Sequence, residues 1–292
     1  MDYSICISAA SGHIRGFFAD TGETAEAARL NYKTTPVVTA AVGRLLTGTA
    51  IMGLMLKNDK DLLTVSLKGD GPIKTVIATA DNKGNVKGYA YEPHVHLPLK
   101  KSGKPDVSAG IGKGHIHVVK DMGLKEPVVS TLPLVSGEVA EDLIKYFAMS
   151  EQTPTVVALG VLVDQDLSVK RSGGFIVQLM PGASEDIIAK LEKNLSGLDT
   201  VTNMMEKGFR AEDIMARVLD GLNPIIPEKR EIRFFCGCNK KKAHSALILM
   251  GRAEIDDILS TEGSANINCH FCNTNYNFDS RELSALVKGG GL

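Results

Sequence analysis

Tryptophan is absent from the 292-residue sequence, and the aromatic residues together make up only 5% of it. So few rings offer little for stacking bases, and a formal net charge of −1 supplies no basic field to hold nucleic acid or an anionic membrane. Neither partner is expected. Long unbroken apolar runs are also missing. The longest candidate, residues 36–56, is interrupted by Thr39, Arg44, Thr47 and Thr49 and spaced by Gly43, Gly48 and Gly53, so the expectation is a buried core helix rather than a bilayer span. Gly110-Ile111-Gly112-Lys113-Gly114 lacks the P-loop spacing and the Ser or Thr that should follow its lysine, which argues against a nucleotide enzyme. Met1-Asp2-Tyr3 opens without the basic region of an export signal, so a reducing cytoplasm is the expected setting.

Cysteine is scarce but unevenly placed. Of five, four fall in Cys236-Gly237-Cys238 and Cys269-His270-Phe271-Cys272. Each short motif presents two sulfurs from one loop, and two such motifs complete the tetrahedral four-sulfur shell that Zn²⁺ takes at about 2.3 Å. Structural disulfides are the competing reading. They suit small secreted domains without a core, whereas this chain is long, starts reduced and holds an odd cysteine. That fifth thiol, Cys6, lies in a predicted strand and reads as a small buried hydrophobe. Lys240, Lys241 and Lys242 follow the first motif, either as a solvated helix face or drawn to the −2 charge of a zinc with four thiolates. His244 and His270 lie nearby, but four thiols already fill the shell. His94-Val95-His96 and His115-Ile116-His117 can each place two imidazoles on one strand face, with surface histidines the plainer reading.

Periodicity divides the chain into three parts. Residues 1–180 read as an α+β domain with antiparallel sheets: a hairpin over 3–20, helices over 24–33 and 36–57, a meander over 61–91, a loop-like stretch over 94–114, then further strands and a helix near 137–149. Residues 181–228 read as a linker of short amphipathic helices, each too short to stand alone, with Ile187, Leu191, Met204, Met205, Met215 and Leu219 on their apolar stripes. Residues 229–292 read as a small module around the cysteines, with too few large apolar residues for a dependable core of its own, so that bound metal would supply the missing stability. Gly289-Gly290-Gly291 is expected to fray.

The whole chain resembles the redox-regulated chaperone family called heat shock protein 33. Cys236-Gly237-Cys238 and Cys269-His270-Phe271-Cys272 are the specific part of that likeness, with Gly69-Asp70-Gly71-Pro72, Gly88-Tyr89 and the helical middle segment in matching places. The resemblance implies a holdase that uses no ATP, is not an enzyme, rests when reduced and zinc-bound, and becomes active after oxidative stress. It implies Cys236, Cys238, Cys269 and Cys272 as ligands of one zinc, Cys236–Cys238 and Cys269–Cys272 as disulfides, unfolded or oxidatively damaged proteins as clients, and a homodimer when active. The linker stripes are the candidate client-binding residues, since methionine-rich apolar surface adapts to varied partners. Two other readings stay open: a zinc-ribbon nucleic-acid-binding module, which the basic stretch 229–242 permits, and a thiol-disulfide oxidoreductase built on the C-x-x-C.

Overall fold

The computed structural model describes residues 1–288, so Gly289-Gly290-Gly291 lies outside the described residues. Two compact units make up the chain, Met1–Phe235 and Cys236–Leu292. The first unit opens with the hairpin β1 (Tyr3–Ala9) and β2 (Ile14–Asp20), followed by α1 (Gly22–Tyr32) and α2 (Pro36–Leu54). The meander is β3 (Leu62–Gly69), β4 (Thr75–Asp81) and β5 (Asn85–Ala90). The loop-like stretch contains one short helix, α3 (Val107–Ile111), started by the Asp106 side chain accepting from the Ala109 N–H. Then come β6 (Gly114–Asp121), β7 (Val128–Pro133), α4 (Ala140–Met149), β8 (Thr155–Val163) and β9 (Val169–Leu179). Helices α5 (Glu185–Ser196), α6 (Val201–Glu206) and α7 (Ala211–Val218) lead to β10 (Ile225–Glu231) and β11 (Arg233–Phe234).

These strands build two sheets. One has five antiparallel strands in the order β10-β1-β2-β9-β8; the other has six, in the order β11-β5-β4-β3-β6-β7, antiparallel except where β11 joins β5. Side chains alternate faces along a strand, and here both faces of the five-stranded sheet are apolar. Phe17, Ala19 and Ile176 point into a core that continues through α2 to Leu63, Val65, Val76 and Ala78 of the six-stranded sheet. Ile5, Ile7, Phe18, Phe175 and Val177 point the other way, into a second core closed by α5, α6 and α7. Phe18 and Phe175, partners in register across β2 and β9, stack at 5.2 Å between centroids. The layers are therefore helices, sheet, helix, sheet, an α+β arrangement.

Helix α2 passes the length and composition test for a membrane span, yet 94% of that span is buried within the protein. Its one strong charge, Arg44, pairs with Glu138, which also binds Lys100. Pro227 lies inside β10. That strand is a sheet edge, where a missing N–H leaves no ladder bond unmade. Residues 229–234, grouped in the sequence reading with the small module, belong to β10 and β11 of the first unit, so the compact second unit begins at Cys236.

The second unit contains α8 (Lys240–Met250), α9 (Arg252–Thr261), the antiparallel pair β12 (Ala265–Asn268) and β13 (Asn275–Phe278), and α10 (Ser280–Lys288). Its core is small: Ala243, Leu247, Ile255, Ala265, Phe278 and Leu283 are its buried apolar residues.

Gly53 tests how tightly α2 lies on the six-stranded sheet. A Cβ there would sit 2.6 Å from the Asp81 carbonyl oxygen and 2.8 Å from the Ala80 Cβ. Alanine gains about 1 kcal/mol of helix propensity over glycine, but overpacking against backbone costs about 1–3 kcal/mol. Gly53→Ala should lower the urea midpoint of the first unit; a midpoint that holds or rises would show that the approach is loose.

Candidate metal centre

The first motif follows β11 and ends at Asn239, whose side-chain oxygen accepts from the Lys242 N–H at 2.9 Å and starts α8. The second motif is the turn between β12 and β13. There the Asn273 N–H donates to the Cys269 carbonyl at 2.7 Å, and the Cys269 N–H donates to the Thr274 carbonyl at 2.9 Å. Asn273 takes the left-handed conformation, with φ 56°, that asparagine tolerates better than most residues. The Asn268 side-chain amide braces the turn by donating to Asn273 at 2.9 Å and Asn275 at 2.8 Å.

This folding brings together four sulfurs separated by more than thirty residues of chain. All four Sγ atoms lie within 4.8 Å of one another and are half-buried. Cys236 and Cys269 are 3.6 Å apart, and Cys238 and Cys272 are 3.2 Å apart. A tetrahedron of sulfurs around an ion at about 2.3 Å has edges of about 3.8 Å, so modest expansion would seat one ion. Four thiolate-forming groups favour a soft or borderline cation and leave no tetrahedral corner for water.

Burial raises the Cys236 thiol to about 12 and raises that of Cys238 as well. Burial also opposes ionisation of Cys272, but hydrogen bonding with Thr274 and Cys238 outweighs it and draws this thiol down to about 7. Of these three thiols, that of Cys272 ionises most easily, and its charge disfavours ionisation of Cys236 and Cys238. A bound dication reverses that balance by compensating several thiolates together.

The surrounding polar contacts are specific. The Tyr276 hydroxyl donates to Cys238 Sγ at 3.1 Å, and Thr274 Oγ1 lies 3.2 Å from Cys272 Sγ. Sequence reasoning missed both residues: the left-handed Asn273 breaks the strand period between Cys272 and Thr274, so no alternation in the sequence points from the cysteines to Thr274 or Tyr276. The lysine run is divided. Lys242 donates to the Gly237 carbonyl at 2.7 Å, Lys240 pairs with Glu282 and lies over the Phe278 ring, and Lys241 faces solvent. Neither His244 nor His270 joins the sulfurs. His115 and His117 share a face of β6, with Lys68 opposite His115 in register. His94 and His96 are exposed. Among the described residues, no histidine enters a cluster of three or more metal-capable side chains.

The C-x-x-C sits between antiparallel strands, not at a helix start in a βαβ unit, so it lacks the positive helix end that activates an oxidoreductase thiol. Cys6 is half-buried in β1, where burial raises its thiol to about 11. The six stripe residues all lie in the second core of the first unit. Leu191, Met204, Met205, Met215 and Leu219 are buried, and Ile187 packs against them half-buried.

Comparison with known proteins gives one consistent answer. The family described as Hsp33 protein matches residues 2–279. The 33 kDa chaperonin of Clostridioides difficile is 49% identical over 288 residues, covering 98% of this chain and 99% of that one. That of Lachnoclostridium phytofermentans is 46% identical over 286 residues, with 98% of each covered. The crystal structure of the 33 kDa chaperonin (heat shock protein 33 homolog) from Thermotoga maritima superposes with a TM-score of 0.90 at 36% identity over 98% of both chains.

Cobalt(II) titration of the reduced chain should saturate at one ion, with the visible bands of a tetrahedral sulfur site. Cys272→Ser should weaken binding at least tenfold by removing one of four donors. Saturation without thiolate-to-metal absorption would mean that the sulfurs do not coordinate.

Proposed function

The chain belongs to the Hsp33 family of chaperones, and on that premise we propose that it is a redox-regulated, ATP-independent holdase of the cytoplasm whose switch is the four-cysteine centre. The observation that carries this reading is the convergence of four sulfurs within 4.8 Å in a unit with only six buried apolar residues among those described. In the reduced state Cys236, Cys238, Cys269 and Cys272 would hold one Zn²⁺. The bound ion would supply cationic charge and a cross-link between the two motifs. Binding at such sites contributes about 10 kcal/mol or more to folding, while so small a core alone supplies at most about 3–5 kcal/mol.

Oxidation removes the ligands. With peroxide as oxidant, the Cys236 and Cys238 thiolates give up two electrons and form one S–S bond, while peroxide takes those electrons with two protons and leaves as two waters. Cys269 and Cys272 react likewise with a second peroxide. Neighbours one and two residues away in sequence can pair without long-range rearrangement. A disulfide sulfur is no longer a thiolate donor, so Zn²⁺ is released and the C-terminal unit loses its support.

Client binding follows from the linker. Helices α5 to α7 are short, and their stability comes from packing Ile187, Leu191, Met204, Met205, Met215 and Leu219 on the five-stranded sheet. From α7 the chain runs through β10 and β11 directly into Cys236. Disorder spreading along it would free both the methionine-rich stripe and the apolar sheet face beneath, a surface suited to unfolded or oxidatively damaged proteins. The active form on this reading is a homodimer; of the expected linker, 181–228, and switch module, 229–292, helices α5 to α7 act as the linker and the compact unit from Cys236 as the switch.

Light scattering of a heat-unfolded client tests the reading. Peroxide-oxidised, zinc-free chain should suppress aggregation near stoichiometric ratio, and reduced zinc-loaded chain should not. Equal behaviour of the two forms would reduce the cysteines to a structural staple. A second variant probes the cover: Leu219 is fully buried, and Leu219→Ala should cost about 2–5 kcal/mol of local stability. Partial suppression by this variant while still reduced is the expected result; full quiescence with linker amides more open to hydrogen exchange would remove the linker from client binding.

A further inference from the structure

The two cysteine motifs are linked by something other than sulfur. Tyr276 lies on β13, opposite Ile267 of β12, and reaches 3.1 Å from Cys238 Sγ, a sulfur 38 residues away in sequence. We propose that Tyr276 is a positioning residue of the centre, whose hydroxyl holds the Cys238 thiolate in its ligating position and sets how readily the ion is released. The inference rests on the metal-thiolate reading of the four cysteines.

Geometry singles out this contact over its neighbour. Thr274 touches Cys272 from two residues away and is exposed, so it braces a loop that its own backbone already closes. Tyr276 is half-buried on a paired strand beside the Phe278 core position, so its ring is held and its hydrogen bond is partly shielded from water. Its target is also the sulfur closest to the opposite motif, 3.2 Å from Cys272 Sγ. A displaced Cys238 would therefore open the tightest edge of the tetrahedron.

The chemistry gives this bond a direction. An O–H donor to a metal-bound thiolate is charge-assisted and withdraws electron density from sulfur, making it a weaker nucleophile toward peroxide and a better-fixed ligand. Once Cys238 has entered the disulfide described above, its sulfur carries no charge and accepts only weakly. The phenol then loses its partner, and the β12–β13 hairpin loses its tie to the first motif. Tyr276 thus favours the reduced state and offers no matching support to the oxidised one.

The test uses the full chain, wild type and Tyr276→Phe, each loaded with one equivalent of Co²⁺ and, separately, Zn²⁺. Outer-shell partners of this kind change metal affinity about ten- to hundredfold. The variant should therefore lose Zn²⁺ to a competing chelator about tenfold faster without oxidant, and release it faster under peroxide. Its thiolate-to-cobalt charge-transfer band should shift to lower energy as the sulfur regains electron density, a change that looser packing alone would not produce. A variant with one bound ion, an unmoved band and wild-type release rate overturns the role of Tyr276 and leaves the metal centre standing. A wild-type chain without a thiolate-to-cobalt band overturns both.

Discussion

The five-stranded sheet is apolar on both faces, so it must be covered twice. One cover is permanent: α2 is buried over nearly its whole length between two sheets, and its glycines let strands and two neighbouring helices come within van der Waals distance. The other cover consists of three helices of twelve, six and eight residues, lengths at which a helix has little stability in water. The same sheet thus has a cover that cannot leave without unfolding the domain and one that depends on the sheet for its own order.

That asymmetry makes a chaperone reading physically economical. On the proposed function, apolar surface for client capture would not have to be built separately, because lifting a marginal cover would expose two complementary surfaces already present in the folded chain. Methionines at 204, 205 and 215 add flexibility where the partner's shape is not specified in advance. The cost of leaving such surface open is aggregation, which is reason for keeping it covered until a signal arrives.

The C-terminal unit is built on the opposite principle. Its buried apolar residues among those described number only six, and burial opposes ionisation of Cys236 and Cys238 while hydrogen bonding draws Cys272 down. On the proposed function, cation binding and folding would be one equilibrium, and chemistry that consumes thiolates would act directly on the fold. The turn geometry of the C-x-x-C also separates this use of cysteine from disulfide exchange on a helix terminus.

Much of this was legible in the residues. The pairing of Cys236 with Cys238 and of Cys269 with Cys272 in two tight motifs, the period-two meander over 61–91, and the spacing of Ile187, Leu191 and Leu195 are local patterns, and local patterns survive in one dimension. What the stripes pack against was not legible. That α5 to α7 lie on Ile5, Phe18 and Phe175, that Pro227 falls within an edge strand, and that Tyr276 reaches Cys238 all depend on contacts between residues tens to hundreds of positions apart. A side chain's parity tells which face it shares with its neighbours. Only the closing of the sheets decides what lies across from that face.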